Sequence, residues 1–358
     1  MGNITAQDAI VLLDRLIATP SHSREESAAA DVVEDFLREH GIEACRIHNN
    51  VWAKCAAFDS AKPTLLLNSH IDTVKPSAAY TVDPYAPMHS DGRIYGLGSN
   101  DAGASAVALA TLFCRLYDAR LNFNLVLALT AEEEVMGEHG MRAMLPEFGR
   151  LGMNIDMALV GEPTGMHVAV GERGLVVLDA TAHGRRGHVA RNDGENALYK
   201  AIADIERLRN YDFERTSELL GPVSVAVTMI SAGTQHNVVP DECRFVVDVR
   251  TTDAYTNEET VALLQAAVEC DLVPRSTRVR ASAIDEGHPL VRAAVAAGRD
   301  CFVSPTTSDM ALMPFPSLKI GVGESARSHS ADEYVLESEI VEGIAVYERM
   351  IDELNRII

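Results

Sequence analysis

Basic residues are in short supply in this 358-residue chain: 31 Lys and Arg stand against 52 Asp and Glu, a formal charge of -21. A surface field of that sign repels phosphate, so nucleic acid and anionic membrane are not expected partners. Cysteines are few and scattered. The six (Cys45, Cys55, Cys114, Cys243, Cys270, Cys301) form no C-x-x-C pair, which argues against a disulfide scaffold or a thiolate zinc site and for thiols in a reducing compartment. The longest mostly apolar run, Ala104 to Cys114, falls short of the ~20 residues that span a bilayer. The opening MGNITAQDAIVLLDRLIATPS carries acids where a secretory leader needs basic residues, so a cytoplasmic protein is expected. Also missing are G-x-x-x-x-G-K-[ST], G-x-S-x-G and H-E-x-x-H, and in GLGSND the third glycine of a dinucleotide fingerprint is replaced by Asp101. Aromatics make up only 5%, yet 47% of the residues are hydrophobic, enough for a largely aliphatic core in about two domains.

Helix and strand alternate over the first third. Helical periodicity covers 5–18 and 24–40, TLLLN (64–68) reads as a strand buried on both faces, and a helix is expected over 102–117. Strands at 123–130 and 156–161 flank a helix near 138–147. Near residue 173 the texture changes. Stretches 175–182, 222–230 and 244–250 alternate as half-exposed antiparallel strands do, with helices at 195–210 and 256–268 between them. After His288-Pro289 the α/β pattern resumes with a helix over 290–300, a strand over 317–321 and a long final helix from 336. The expected architecture is an α/β catalytic domain, a mixed sheet flanked by helices, split as 1–172 and 288–358 around an inserted α+β lid at 173–287.

Four acidic or histidine clusters follow strand ends or open a helix: Ser69-His70-Ile71-Asp72, Asp101, Glu132-Glu133-Glu134 and Glu162. Each alone has a plain reading. A loop histidine, a helix N-cap or a solvated first turn accounts for any one of them. Together they lie where an open α/β sheet binds its ligands, beyond the carboxyl ends of the strands. Histidine plus carboxylates without thiolate suits a hydrolytic zinc, cobalt or manganese site. The period-two spacing of His70 and Asp72 suggests that the Asp72 carboxylate accepts the second imidazole N–H of His70. Adjacent Glu133 and Glu134 allow one to ligate metal while the other handles a proton.

The motifs LLLNSHIDTVKP (65–76), YGLGSNDAGAS (95–105), TAEEEVMGEHG (130–140), VGEPTG (160–165), GRRGHVA (184–190), AGTQHNVVPDECRFVVDVR (232–250) and ARSHSADEY (326–334) together resemble the dinuclear-zinc aminoacylase and carboxypeptidase family. The resemblance covers essentially the whole chain and is strongest to the acetylornithine deacetylase-like branch. It implies two divalent metal ions per subunit (zinc, or else cobalt or manganese), with Asp101 bridging them. His70 and Glu162 would complete one metal, Glu134 and His329 the other. Glu133 would be the general acid/base and Asp72 the partner of His70. His188 would donate to the oxyanion, typically from the neighbouring subunit of a homodimer formed through the lid. Asn237 and Arg250, with Arg173 and Thr306 as weaker candidates, would hold the substrate. The chain departs from the family pattern at Ala102-Gly103-Ala104, where a basic residue usually follows the bridging Asp by two positions, and at Glu132, usually Asp. The implied activity is hydrolysis of a small N-acyl amino acid, first of all N-acetylornithine. N-succinyl-ornithine, an N-acylcitrulline, succinyl-diaminopimelate or a di- or tripeptide are alternatives, and a non-catalytic metal-binding relative is the remaining class.

Overall fold

A computed structural model describes residues 4–358; the first three residues of the opening stretch lie outside it. The chain divides into two compact units. One comprises residues up to Val170, Ala283–Phe302 and Ser308–Ile358; the other comprises Gly171–Ser282 with the short return Val303–Thr307.

The first unit is built on a mixed sheet. Its strands run Cys45–Ile47, Asn50–Lys54, Asn124–Thr130, Thr64–His70, Met157–Val160 and Ser317–Lys319 in spatial order. The last four are mutually parallel, whereas Asn50–Lys54 is antiparallel to its neighbour Asn124–Thr130. Thr64–His70 and Asn124–Thr130 are buried at every position, as the continuous apolar runs require of strands covered on both faces. On one face Met141, Met144 and Phe148 of helix Met141–Arg150 pack against Leu66, Val126 and Ala158. Helix Ala104–Leu116 packs on the same strands and is itself packed by Ala6–Ile17 and Glu337–Ile357. The expected helices and strands of this unit form with ends shifted by a few residues. The hairpin Cys45–Lys54 was not anticipated; it turns at His48, whose φ is +53°.

The second unit is a four-stranded antiparallel sheet in the order Ser224–Ala232, Glu242–Thr251, Gly174–His183, Asp271–Pro274. Alternate residues of the central strands (Val176, Leu178, Ala180; Phe245, Val247, Val249) point into a core closed by Ala197, Ala201 and Leu208 of one helix and Leu264 of another. This is the period-two pattern seen in the sequence. Strand Asp271–Pro274 is too short for that pattern to show and was missed. Among the described residues no helix is long and apolar enough to cross a membrane.

Candidate metal centre

The parallel strands end in step. His70 is the last residue of its strand and pairs in register with Thr130, and Asn68 pairs with Val160 on the other side. The residues that follow, Asp72, Glu133-Glu134 and Glu162, therefore emerge at one edge of the sheet. Asp101 joins them from the turn Ser99–Gly103, and His329 from the segment after Ser325–Arg327. The Nε2 atom of His70 lies 3.2 Å from Asp101 Oδ1, 3.7 Å from Glu162 Oε1 and 4.0 Å from Glu133 Oε2. His329 Nε2 lies 3.1 Å from both oxygens of Glu134 and 3.6 Å from Asp101 Oδ2. Two groups could hold a metal ion, His70–Asp101–Glu162 and Asp101–Glu134–His329; within each, one donor atom per residue lies within 4.8 Å of the others. Asp101 is common to both. Its position is no helix cap: helix Ala104–Leu116 has Gly103 as its N-cap and no side-chain capping bond.

The electrostatics are those of acids crowded out of water. Burial, aided by the charge of Glu162, holds Glu133 well above the usual carboxylate range, and burial also raises Glu134. Burial and the nearby Asp101 push Glu162 up to about 8, even though His70 pulls the other way. Burial works against a charged His70, but hydrogen bonds to Asp101 and Asp72 outweigh it and leave the imidazole well above its ordinary value. Asp101 runs opposite to the glutamates: burial would raise it, but the His70 hydrogen bond and charge bring it below the ordinary value. A divalent cation among these groups would replace protons as the source of positive charge.

Asp72 does more than its spacing suggests. The Nδ1 of His70 lies 2.9 Å from the backbone oxygen of Asp72, while the carboxylate Oδ1 stands off at 3.5 Å. The strand ends at His70, so the two side chains are not on one extended segment. The carboxylate also accepts the backbone N–H groups of Glu133 (3.0 Å) and Glu134 (3.2 Å) and the hydroxyl of Ser23 (2.7 Å). It fixes the turn that aims both glutamates. Glu132 faces away from the cluster, its carboxylate accepting the His139 N–H at 3.2 Å. Buried Glu26 takes the N–H groups of Arg24 and Glu132 and the side-chain amide of Asn49. Behind the cluster, buried Asp309 accepts the Thr130 hydroxyl at 2.8 Å and is raised to about 6 by burial. Ser23, Glu26 and Asp309 escaped the sequence reading because each is recognised only by its partners: Ser23 holds Asp72, while Glu26 and Asp309 hold the neighbouring Glu132 backbone and Thr130 hydroxyl.

The remaining candidates all fall in the second unit. His188 and Asn237 come together: Gly187–His188 pairs with Val238–Val239, and the N–H of Val189 donates to the Asn237 carbonyl at 3.1 Å. Both side chains are exposed. His188 Nδ1 accepts the Ala190 N–H at 3.2 Å, leaving Nε2 to carry the ring proton of the neutral imidazole. Arg250 is not a free anchor. Its Nε and Nη2 donate to the two oxygens of Asp248 at 2.8 and 3.1 Å, and Nη1 is left outside this fork. Arg173 spends Nε and Nη2 on the Leu220 carbonyl at 3.2 and 2.8 Å, which suits a structural strut better than a substrate contact. Thr306 is exposed, its hydroxyl 3.1 Å from Ser304 Oγ.

Residues 66–353 match the peptidase family M20/M25/M40. The chain belongs to that family. A succinyl-diaminopimelate desuccinylase of Paracoccus denitrificans is 29% identical over 72% of this chain and 71% of its own length. One from Corynebacterium glutamicum is 28% identical over 97% and 96% of the two chains. Among solved structures, the aminopeptidase PepT of Bacillus cereus superposes with a TM-score of 0.78 at 18% identity, covering 99% of this chain and all of that one, which is a likeness of fold. The M20 protein described here is accordingly a metallohydrolase acting on amide bonds, as its relatives are.

Two outcomes follow from this geometry. Glu133→Gln should cut turnover by roughly 10²–10⁴-fold while leaving metal affinity near that of the unaltered chain, whereas Glu134→Gln should weaken metal binding. Exchanged phenotypes, read by steady-state kinetics and metal titration, would reverse the two assignments. Metal binding at pH 7 should also release protons. Glu162, at about 8, is mostly protonated there in the metal-free chain, so it loses its proton to a bound cation. Calorimetry in buffers of differing ionisation enthalpy should show the Glu162 share shrinking above pH 8 and absent in Glu162→Gln; proton uptake, or release unchanged by that substitution, would contradict it.

Proposed function

We propose that this M20 hydrolase removes the succinyl group from N-succinyl-diaminopimelate or a close N-acyl amino acid. The observation that carries the reading is the pair of metal-ligand groups sharing Asp101, with buried Glu133 beside them at 4.0 Å from His70 and outside both groups. The choice of acyl group leans on the relatives, two of which are named for desuccinylation. N-acetylornithine, favoured from the sequence, becomes the comparison substrate.

The ligand sets suit two divalent ions, zinc first, which when bound supply a Lewis acid for the amide carbonyl and lower the pKa of a water. Glu133 takes the proton of that water and delivers it to the leaving amine. Asp72 keeps Glu133 and Glu134 in their separate roles by holding both backbone N–H groups. His188, with its proton on Nε2, donates to the developing oxyanion. Arg250 binds a substrate carboxylate through Nη1 while Asp248 steadies the rest of the fork, and Asn237 orients the substrate. The edge strand Ser224–Ala232 leaves Met229 and Ile230 65% and 51% exposed. In this reading it is where a second copy docks, bringing His188 to the neighbouring metal centre.

A substrate panel tests the proposal. N-succinyl-diaminopimelate should exceed N-acetylornithine, N-succinyl-ornithine, N-acetylcitrulline and dipeptides by at least about tenfold in kcat/KM, about 1.4 kcal/mol. Arg250→Ala should lower its kcat/KM mainly through KM. Faster turnover of N-acetylornithine or of dipeptides would overturn the choice of substrate.

A further inference from the structure

The turn that carries Asp101 is held by a carboxylate outside both metal-ligand groups. Glu333, only 2% exposed, accepts the Gly98 N–H through Oε2 at 3.0 Å and the Asn100 and Asp101 N–H groups through Oε1 at 2.9 and 2.8 Å. Asp101 itself is non-helical (φ -116°, ψ 100°) and Gly98 is left-handed at φ +73°. The turn is also closely packed, since a Cβ on Gly98 would stand 2.5 Å from Thr73 Cγ2 and one on Gly103 would stand 2.4 Å from the Gly98 carbonyl oxygen. Buried N–H groups left unpaired here would cost what an orphaned backbone donor costs.

The same segment bears the other end of the site. His329 lies four residues before Glu333, at φ +56°, and Asp332 next to Glu333 accepts the Thr81 and Val82 N–H groups at 2.7 and 3.2 Å. Residues 329–333 thus present one metal-ligand candidate and grip the backbone of another. We propose that Glu333 is a positioning residue that sets Asp101 against His329 and so determines metal affinity. This rests on reading Asp101 as the ligand shared by two ions.

Replacement separates this role from simple packing. Glu333→Ala removes all three acceptor contacts. Glu333→Gln can keep two by turning its oxygen toward Asn100 and Asp101, but it opposes the Gly98 N–H with an amide N–H. Cobalt titration of the metal-free chain, followed by visible absorption, should show affinity falling about 10–100-fold for the alanine variant and less for the glutamine variant, with an altered cobalt spectrum in each. Circular dichroism and thermal unfolding of the metal-free proteins report whether the variants fold. Unaltered affinity and spectrum in a folded Glu333→Ala chain would overturn the proposal. If that variant fails to fold, the same result in Glu333→Gln would overturn it. Asp101→Asn serves as the control: cobalt binding like that of the unaltered chain would refute the shared-ligand reading itself, a result distinct from silence in the Glu333 variants alone.

Discussion

Mutual repulsion among buried acids is the constraint on which this site depends. Asp101, Glu133, Glu134 and Glu162 converge on His70 and His329 at the end of a sheet whose parallel strands are buried throughout. Without a cation, burial first and mutual repulsion second favour the protonated forms of the three glutamates, and the Asp101 and Asp72 contacts favour a protonated His70. A fold that tolerates this cost needs compensation elsewhere. The compensation is visible as carboxylates that serve backbone rather than ligand: Asp72 under the glutamate turn, Glu333 under the Asp101 turn and Glu26 under Glu132. Each removes the freedom of a segment that repulsion would otherwise spread apart.

The division of labour follows from chain geometry. Parallel strands in register deliver His70, the glutamate pair and Glu162 to one edge without long loops, so these positions are set by the sheet. Asp101 and His329 arrive on irregular backbone and need their own fastening. In the proposed reading, substrate selection belongs to other elements. His188 lies on the short ladder of Gly187–His188 with Val238–Val239, with Asn237 just before Val238, and Arg250 projects from a strand of the antiparallel sheet beside Asp248.

Much of this was legible in the sequence wherever periodicity or strand ends carried the information. Runs such as TLLLN and FNLVLALT announce buried strands, and acids directly after them mark the ligand edge. His329 was reachable only through family resemblance, because its distance along the chain from Asp101 hides their proximity. The His70–Asp72 spacing picks a pair that does meet, with the Asp72 carboxylate 3.5 Å from the imidazole, while the closer contact of that nitrogen is to the Asp72 backbone oxygen because the strand stops at His70. The Asp248–Arg250 fork obeys that same rule, within one strand, and could have been read from it. Glu333 and Ser23 act through a backbone N–H or another carboxylate, and no spacing in the sequence encodes that.

Whether the two ligand groups are real sites sharing one carboxylate is decided most directly by metal stoichiometry. Purified chain, stripped by chelation and reloaded with zinc to saturation, should carry about two equivalents by elemental analysis. Asp101→Asn should depress both, while Glu162→Gln and His329→Ala should each weaken one. Saturation at a single equivalent, or loss of both ions on removing His329 alone, would contradict a pair of sites joined at Asp101.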